Sequence, residues 1–353
     1  YNLGETTILQ DHFAEDSRFR QMPVRLEGVI GVPGEKGPRP VVLILHGSHQ
    51  VCPSEDVWPC SPEEEQPNYT GFAYLVEALA DAGYIALAIN VNAEHTFAYG
   101  ESPPTVRTIQ LIDAHLGELA AAHAGESEAF GVDLQGRVDL SRLVWMGHSR
   151  GGDFANWIVR DQNLASEASQ AGYGPVQGLI LIAPSAFATD ALPSVDLPIA
   201  ALLPACDGDV STLSGQDYYE SARLDPNRKR WATTVYLDGA NHNHFNAILE
   251  PEAGLPDRPD CAGEAMLPAE DQQDFLVQYT LDFLRALYGD AKGASAARQR
   301  LGIDPSAAVP SELYGYPVRL TVSQPATRRL ALIQPQSEAE LEQNLLGGQV
   351  TLG

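Results

Sequence analysis

Short apolar runs rich in Val, Ile and Leu alternate along this chain with longer amphipathic stretches. The strand-sized runs lie at 5–10, 23–32, 41–46, 85–90, 142–147, 178–183, 198–203 and 233–237. The amphipathic stretches at 71–83, 104–123, 151–161, 213–222 and 271–288 have helical spacing. Strands that alternate with helices in this way predict an α/β domain, with a mostly parallel eight-stranded sheet covered by helices on its faces. The first two runs are close together and suit an antiparallel edge. Only a short loop containing Pro, Ser and Ala separates the run at 178–183 from that at 198–203, so no large cap is expected over the sheet edge. The loops 48–70 and 243–270 are rich in Pro, Glu and Asp and lack a continuous apolar face, which predicts an open cleft rather than a greasy lid.

The texture changes near residue 290. The main domain is expected over 1–290, followed by a Gly/Ala/Ser-containing linker over 291–315 and a β-rich tail over 316–353. Two segments of the tail, Val318 to Val322 and Leu330 to Ile333, carry strand-like patterns. Two or three strands are marginally stable alone, so the tail must pack on the main domain or belong to a β module that continues past Gly353. About 290 residues can bury a large core, so one catalytic domain of ordinary size is within reach.

Chemistry enters where the run at 142–147 meets the sequence Gly147-His148-Ser149-Arg150-Gly151-Gly152. An apolar strand that runs straight into Gly-x-Ser-x-Gly and then into a helix is the setting of a nucleophile elbow. There the serine stands on a tight, strained turn above the sheet edge, and its neighbours must be small. The helix beginning after Ser149 would aim its unpaired amides at a developing oxyanion.

A nucleophilic serine needs a base, and His242 follows the last strand in Gly239-Ala240-Asn241-His242-Asn243. Neutral imidazole at pH 7 can take the serine proton and return it to a leaving group. His244 competes, but His242 sits in the turn that presents a base. The base needs a carboxylate to hold its tautomer, and Asp207 and Asp209 both follow the strand ending near Leu203. Asp207 comes first and keeps an Asp-x-x-Val spacing to Val210, whereas Asp209 suits a cap for the next helix. Two backbone donors are expected for the oxyanion, Arg150 after the nucleophile and Ser48 in Leu45-His46-Gly47-Ser48-His49. His46 and His49 read as structural loop residues. A metal site built from His46, His49, His242 and His244 is an alternative, although their spacing brings no carboxylate motif of the usual metallohydrolase kind.

Composition narrows the partners. The 353 residues carry a formal net charge of −25, with lysine only at positions 36, 229 and 292. Nucleic acid and anionic membranes would be repelled by such a surface. No run of about twenty apolar residues is long enough to cross a bilayer. The chain starts at Tyr1 without methionine, as expected where a leader has been removed or the chain trimmed. Its four cysteines lack a paired zinc-binding spacing. Two disulfides are expected, and Cys52–Cys60 with Cys206–Cys261 is the favoured pairing of the three possible, which in turn predicts a secreted protein.

With these residues in place, residues 1–290 resemble the α/β-hydrolase superfamily. Within it they are similar to the cap-poor secreted esterases of the platelet-activating-factor acetylhydrolase, dienelactone hydrolase and cutinase-like polyester hydrolase neighbourhood. The resemblance is carried by Leu45-His46-Gly47-Ser48-His49, the elbow at Ser149, Cys206-Asp207-Gly208-Asp209-Val210 and Gly239-Ala240-Asn241-His242-Asn243. A serine in the elbow, rather than the aspartate of dehalogenases or the cysteine of dienelactone hydrolases proper, implies acyl-enzyme chemistry. The expected function is therefore cofactor-free hydrolysis of carboxylic esters, short-chain or polyester-like, by Ser149, His242 and Asp207. A serine peptidase or acyltransferase would use the same residues. A non-catalytic binding module would have no physical reason to keep all four parts. Trp58, Tyr69, Phe72, Tyr74 and Phe97 are aromatics that could line a substrate surface.

Overall fold

The structure, a computed structural model, describes residues 1–166, 172–186, 192–252, 254–330, 342–344 and 346–349. Among the described residues, ten strands form one sheet: β1 (Asn2–Leu9), β2 (Gln21–Gly31), β3 (Arg39–Leu45), β4 (Ile85–Ile89), β5 (Val138–His148), β6 (Val176–Ile182), β7 (Ile199–Cys206), β8 (Ala232–Asn241), β9 (Glu312–Leu313) and β10 (Tyr316–Ser323). Their order across the sheet is β1-β2-β4-β3-β5-β6-β7-β8-β10-β9. The six strands from β4 to β8 run parallel, and both edges are antiparallel. The helices are α1 (Ala73–Asp81), α2 (Val106–Ala124), α3 (Arg150–Asp161), α4 (Gln216–Leu224), α5 (Ala269–Tyr288) and α6 (Ala291–Arg300).

Side chains on a strand alternate between faces, and here both faces are covered. In β3, Val41, Leu43 and Leu45 join Leu111, Leu116, Phe154 and Ile158 of α2 and α3 in one core layer. Val42 and Ile44 join Leu75, Leu79, Phe275, Leu276 and Phe283 of α1 and α5 in the other. This is why β3, β4 and β7 read as unbroken apolar runs. At about 1.5–3 kcal/mol for each fully buried large aliphatic side chain, these two layers dominate the drive to fold.

The tail departs from expectation. Residues 291–315, expected as a linker, contain α6, whose first turn is capped where Asp290 accepts the Gly293 N–H at 2.7 Å. Its buried residues are Ala294 and Ala297, so its apolar stripe is too small to register as amphipathic. The segment at 318–322 then forms β10, which pairs antiparallel with β8 and extends the expected eight-stranded sheet to ten. Val318 and Leu320 enter the α5 core layer, while Arg319 and Thr321 face outward. Of the second expected tail strand, Leu330 is not in a strand, and 331–333 lie outside the described residues.

One carboxylate ties this extension down. Asp282 on α5 is buried and accepts from Arg300 Nε at 2.7 Å, Arg300 Nη2 at 2.5 Å, Tyr314 Oη at 2.9 Å and Arg285 Nη1 at 3.3 Å. A second anchor shapes the loop after β4. Buried Arg107 uses all five of its N–H donors, to Gln10 Oε1 and to the carbonyls of Ala93, Thr96, Tyr99 and Gly100.

Replacing Asp282 by Ala strands a hydrogen-bonded cluster but leaves the two arginines half exposed. The expected loss of stability in urea unfolding is between about 2 and 4 kcal/mol, below the range for a fully buried pair. The exposed pair Arg319–Asp238, at 3.8 Å, serves as the control. Arg319→Ala is expected to change stability by less than about 1 kcal/mol.

Candidate active site

Ser149 sits where β5 turns into α3, with φ +54° and ψ −126°, a conformation that non-glycine residues adopt only under constraint. The turn is held by the Ser149 N–H to the Ile182 carbonyl at 2.8 Å and the Gly152 N–H to the Ser149 carbonyl at 2.9 Å. Both motif glycines are demanded by close approach. A Cβ on Gly147 would lie 2.2 Å from the Gly151 carbonyl oxygen, and one on Gly151 would lie 2.6 Å from that of His46. The elbow is therefore wedged directly against the end of β3.

That wedge brings the oxyanion candidates alongside the nucleophile. A Cβ on Gly47 would stand 2.8 Å from Ser149 Cβ, so the loop that presents Ser48 runs against the serine. Arg150 begins α3, where first-turn amides have no acceptor within the helix. His46 fixes the same loop: its Nε2 accepts the Val91 N–H at 3.0 Å, which leaves Nδ1 to donate to the Gly47 carbonyl at 2.8 Å. Both nitrogens of His46 are thus engaged in holding backbone.

Asp207 follows β7 and His242 follows β8, neighbouring parallel strands whose register places them side by side. His242 Nδ1 donates to Asp207 Oδ2 at 2.9 Å, with both side chains essentially out of water. Asp207 Oδ1 accepts the N–H groups of Asp209 at 3.0 Å and Val210 at 2.6 Å. The Asp-x-x-Val spacing thus closes a turn on the carboxylate itself. Asp209 does not cap α4, which starts at Gln216 after Gly215. Instead its Oδ2 lies 3.5 Å from His242 Nε2, on the opposite side of the ring from Asp207, with its side chain more than half exposed. His244 Nδ1 is buried without a hydrogen-bond partner.

Sequence reasoning did not single out three residues that surround His242. His148, inside the elbow motif, donates from Nε2 to the His242 carbonyl at 3.0 Å, and the two rings lie 4.9 Å apart. Gln272 of α5 accepts the Asn241 N–H at 2.8 Å and donates to the Asn241 carbonyl at 2.6 Å. Glu252 accepts backbone N–H groups from both loops. A side-chain amide that points from a helix into a strand end leaves no periodic signal in the chain.

The disulfides are Cys52–Cys60 and Cys206–Cys261, as expected. The second fixes the residue immediately before Asp207.

Burial keeps most nearby imidazoles neutral: it lowers His46 to about 4 and His49 to about 3, and pushes His95 and His148 well below the ordinary range. For His242, burial also disfavours the charged ring. The hydrogen bond and charge of Asp207, with the charges of Asp209 and Glu252, outweigh it and raise the pKa above its usual value. Among the described residues, no group of three or more His, Cys, Asp or Glu is placed to hold a metal ion.

Two cavities lie near the elbow, and Ser149 and His242 line neither. One of about 470 Å³ is lined by Ser48, His49, Cys52, Val57, His95 and Phe97, and one of about 360 Å³ by Arg150, Phe154 and others. They share Thr96 and Phe97. Of the aromatics considered for a substrate surface, Phe72 is core, Tyr74 donates to the Phe245 carbonyl, Tyr69 to Glu27 and Trp58 to the Pro23 carbonyl. Phe97 is the one that stands free, 67% exposed on the ridge between the cavities.

No family model matches this chain, and no curated protein matches it. Among solved structures it is similar to Est1E from Butyrivibrio proteoclasticus, at 13% identity over 80% of this chain and 99% of that one, with a TM-score of 0.41. A putative dienelactone hydrolase from Klebsiella pneumoniae subsp. pneumoniae MGH 78578 is 16% identical over 78% of this chain and 96% of its own, with a TM-score of 0.39. The propionate-bound thermophilic esterase Est2 from the planctomycete Thermogutta terrifontis is 16% identical over 82% of this chain and 96% of its own, with a TM-score of 0.44. The mixed sheet, with a strained serine turn after β5 and an acid and a histidine after β7 and β8 in that chain order, is the α/β-hydrolase fold.

Proposed function

We propose that the protein is a secreted serine carboxylic-ester hydrolase that works through an acyl-enzyme on Ser149. The observation that carries the reading is the dry hydrogen bond from His242 Nδ1 to Asp207 Oδ2 at 2.9 Å. It fixes the tautomer that leaves Nε2 as the basic nitrogen, and Nε2 has no hydrogen-bond partner among the described residues, with Asp209 Oδ2 3.5 Å away. Ser149 Oγ attacks the ester carbonyl while its proton passes to His242 Nε2. The oxyanion so formed is held by the N–H groups of Ser48 and Arg150. Collapse expels the alcohol, which takes the proton from Nε2. Water then gives its proton to the same nitrogen as it attacks the acyl-enzyme, and collapse releases the acid while Nε2 returns that proton to Ser149 Oγ. Asp207 stays ionised and steadies the transient imidazolium. Every step uses groups of the chain, substrate and water alone.

A short acyl group or one unit of a polyester is the substrate class we favour, supported by a cavity of about 470 Å³ beside Ser48 that is large enough for either. Two disulfides support an oxidising, extracellular setting.

Three results test the reading. Initial rates on nitrophenyl esters from acetate to palmitate are expected to peak at short chains. Ser149→Ala is expected to lose activity by on the order of 10⁴-fold or more, and to escape labelling by a fluorophosphonate that modifies the intact protein. A folded Ser149→Ala protein with undiminished rates would eliminate the serine mechanism. The pH profile follows from the raised pKa of His242. Because the base must be neutral, kcat/KM is expected to fall as pH drops, with a midpoint above the ordinary imidazole value of about 6.5. A midpoint below that value would contradict the assigned environment of His242.

A further inference from the structure

We infer that Glu252 is a positioning residue that holds the base against its carboxylate partner by clamping the backbones of both loops, an inference that rests on the reading of His242 as general base. Its Oε1 accepts the N–H of Gly208 at 2.9 Å and that of His242 at 3.0 Å, and its Oε2 accepts that of Asn243 at 3.2 Å. Gly208 is bonded to Asp207, so a single carboxylate bridges the acid loop and the base loop without touching the Asp207–His242 contact itself. Hydrogen bonds to an ionised acceptor are about twice as strong as neutral ones, which suits a group that must fix a distance.

The surroundings are built for this bridge. A Cβ on Gly208 would lie 2.8 Å from Glu252 Cγ and 2.7 Å from the Gly254 carbonyl, so the clamp closes only over glycine. This accounts for the glycine between two aspartates in Asp207-Gly208-Asp209. The segment carrying Glu252 is pinned on one side by Asn243 Nδ2 to the Glu250 carbonyl at 2.8 Å. On the other side it is pinned by the Cys206–Cys261 disulfide, which ends one residue before Asp207. Glu252 thus lies between two anchors that both lead to the catalytic loops.

A clamp made of charge also leaves an electrostatic mark. The groups that face His242 are the carboxylates of Asp207, Asp209 and Glu252, together with the imidazoles of His148 and His49, which burial keeps neutral. Removing the Glu252 charge takes away one of three fields that favour the imidazolium.

The test compares the intact protein with Glu252→Ala and Glu252→Gln, using nitrophenyl acetate across pH, thermal unfolding, and NMR titration of the His242 imidazole. Glu252→Ala is expected to lower kcat by on the order of ten- to a hundredfold with KM nearly unchanged, as misplacement of a catalytic group does. Glu252→Gln keeps a carbonyl acceptor for the Gly208 and His242 N–H groups and gives up only the longer contact to Asn243. It is expected to recover most of kcat while its acidic limb moves to lower pH, in step with a lower His242 pKa by NMR. Wild-type kcat and an unmoved limb in Glu252→Ala would overturn the inference, as would a loss of rate that only tracks loss of folded protein. The imidazole titration needs no turnover. If the intact protein hydrolyses no ester, the esterase reading fails by itself, whereas the clamp stands if the His242 pKa falls in Glu252→Gln and falls with that reading if it does not.

Discussion

Holding the Asp207 carboxylate out of water is the constraint around which this structure is arranged. An ionised carboxylate without partners in a dry site costs many kcal/mol, and every oxygen must find a donor. Here Oδ1 takes two backbone N–H groups from its own turn, and Oδ2 takes His242. Those donors exist only if β7 and β8 stop in register, if the chain after Cys206 turns sharply and if the β8 end is held in place. The parallel pairing, the Cys206–Cys261 bond, Gln272 and Glu252 each answer one of those needs. The pair is thereby held in place by the fold itself, which is what the proposed mechanism requires.

The same dryness sorts the histidines. Of nine in the chain, His46, His49, His95 and His148 crowd the elbow, and burial keeps all four uncharged. Two of them have defined work on the backbone: His46 bridges the β3 loop to Val91, and His148 ties the elbow to the base loop. Among these five, His242 has carboxylates near both ring nitrogens, and its pKa is raised where the other four are lowered. Neutral neighbours matter here, since a charged imidazole at 4.9 Å would oppose formation of the imidazolium. The excess of acids over bases across the chain works in the same direction.

Much of this was legible in the chain. The main strands and five of the described helices were readable from their apolar periodicity, although β1 buries only Ile8, and the turn at Ser149 was readable because Gly151 must admit the end of β3 and Gly147 must admit Gly151. The turn at Asp207 was also open to reading, since the Asp-x-x-Val spacing puts the Val210 N–H three residues on. What stayed hidden had no periodicity to show. The helix α6 buries two alanines and offers almost no apolar moment, so its stretch looked like a linker. Gln272 and Glu252 act through side chains on backbone groups distant in sequence, and any polar surface residue would have read the same way. The role of Asp209 beside Nε2 depends on a side-chain direction that spacing alone does not give.

Both cavities near the elbow are walled by braced loops. The loop after β4 would be a poor scaffold by composition, yet it carries His95, Thr96 and Phe97 to the shared border of both cavities. Arg107 makes that loop part of the frame by taking four of its carbonyls, at the cost of burying a guanidinium whose every donor must then be used. On the far side, Cys52–Cys60 closes the loop that walls the larger cavity. Both walls are therefore fixed from behind, while Phe97 projects from them into solvent. A large apolar side chain held out from a rigid base is suited to meet an apolar surface without having to fold around it, and rigid anchoring lowers the entropy lost in doing so.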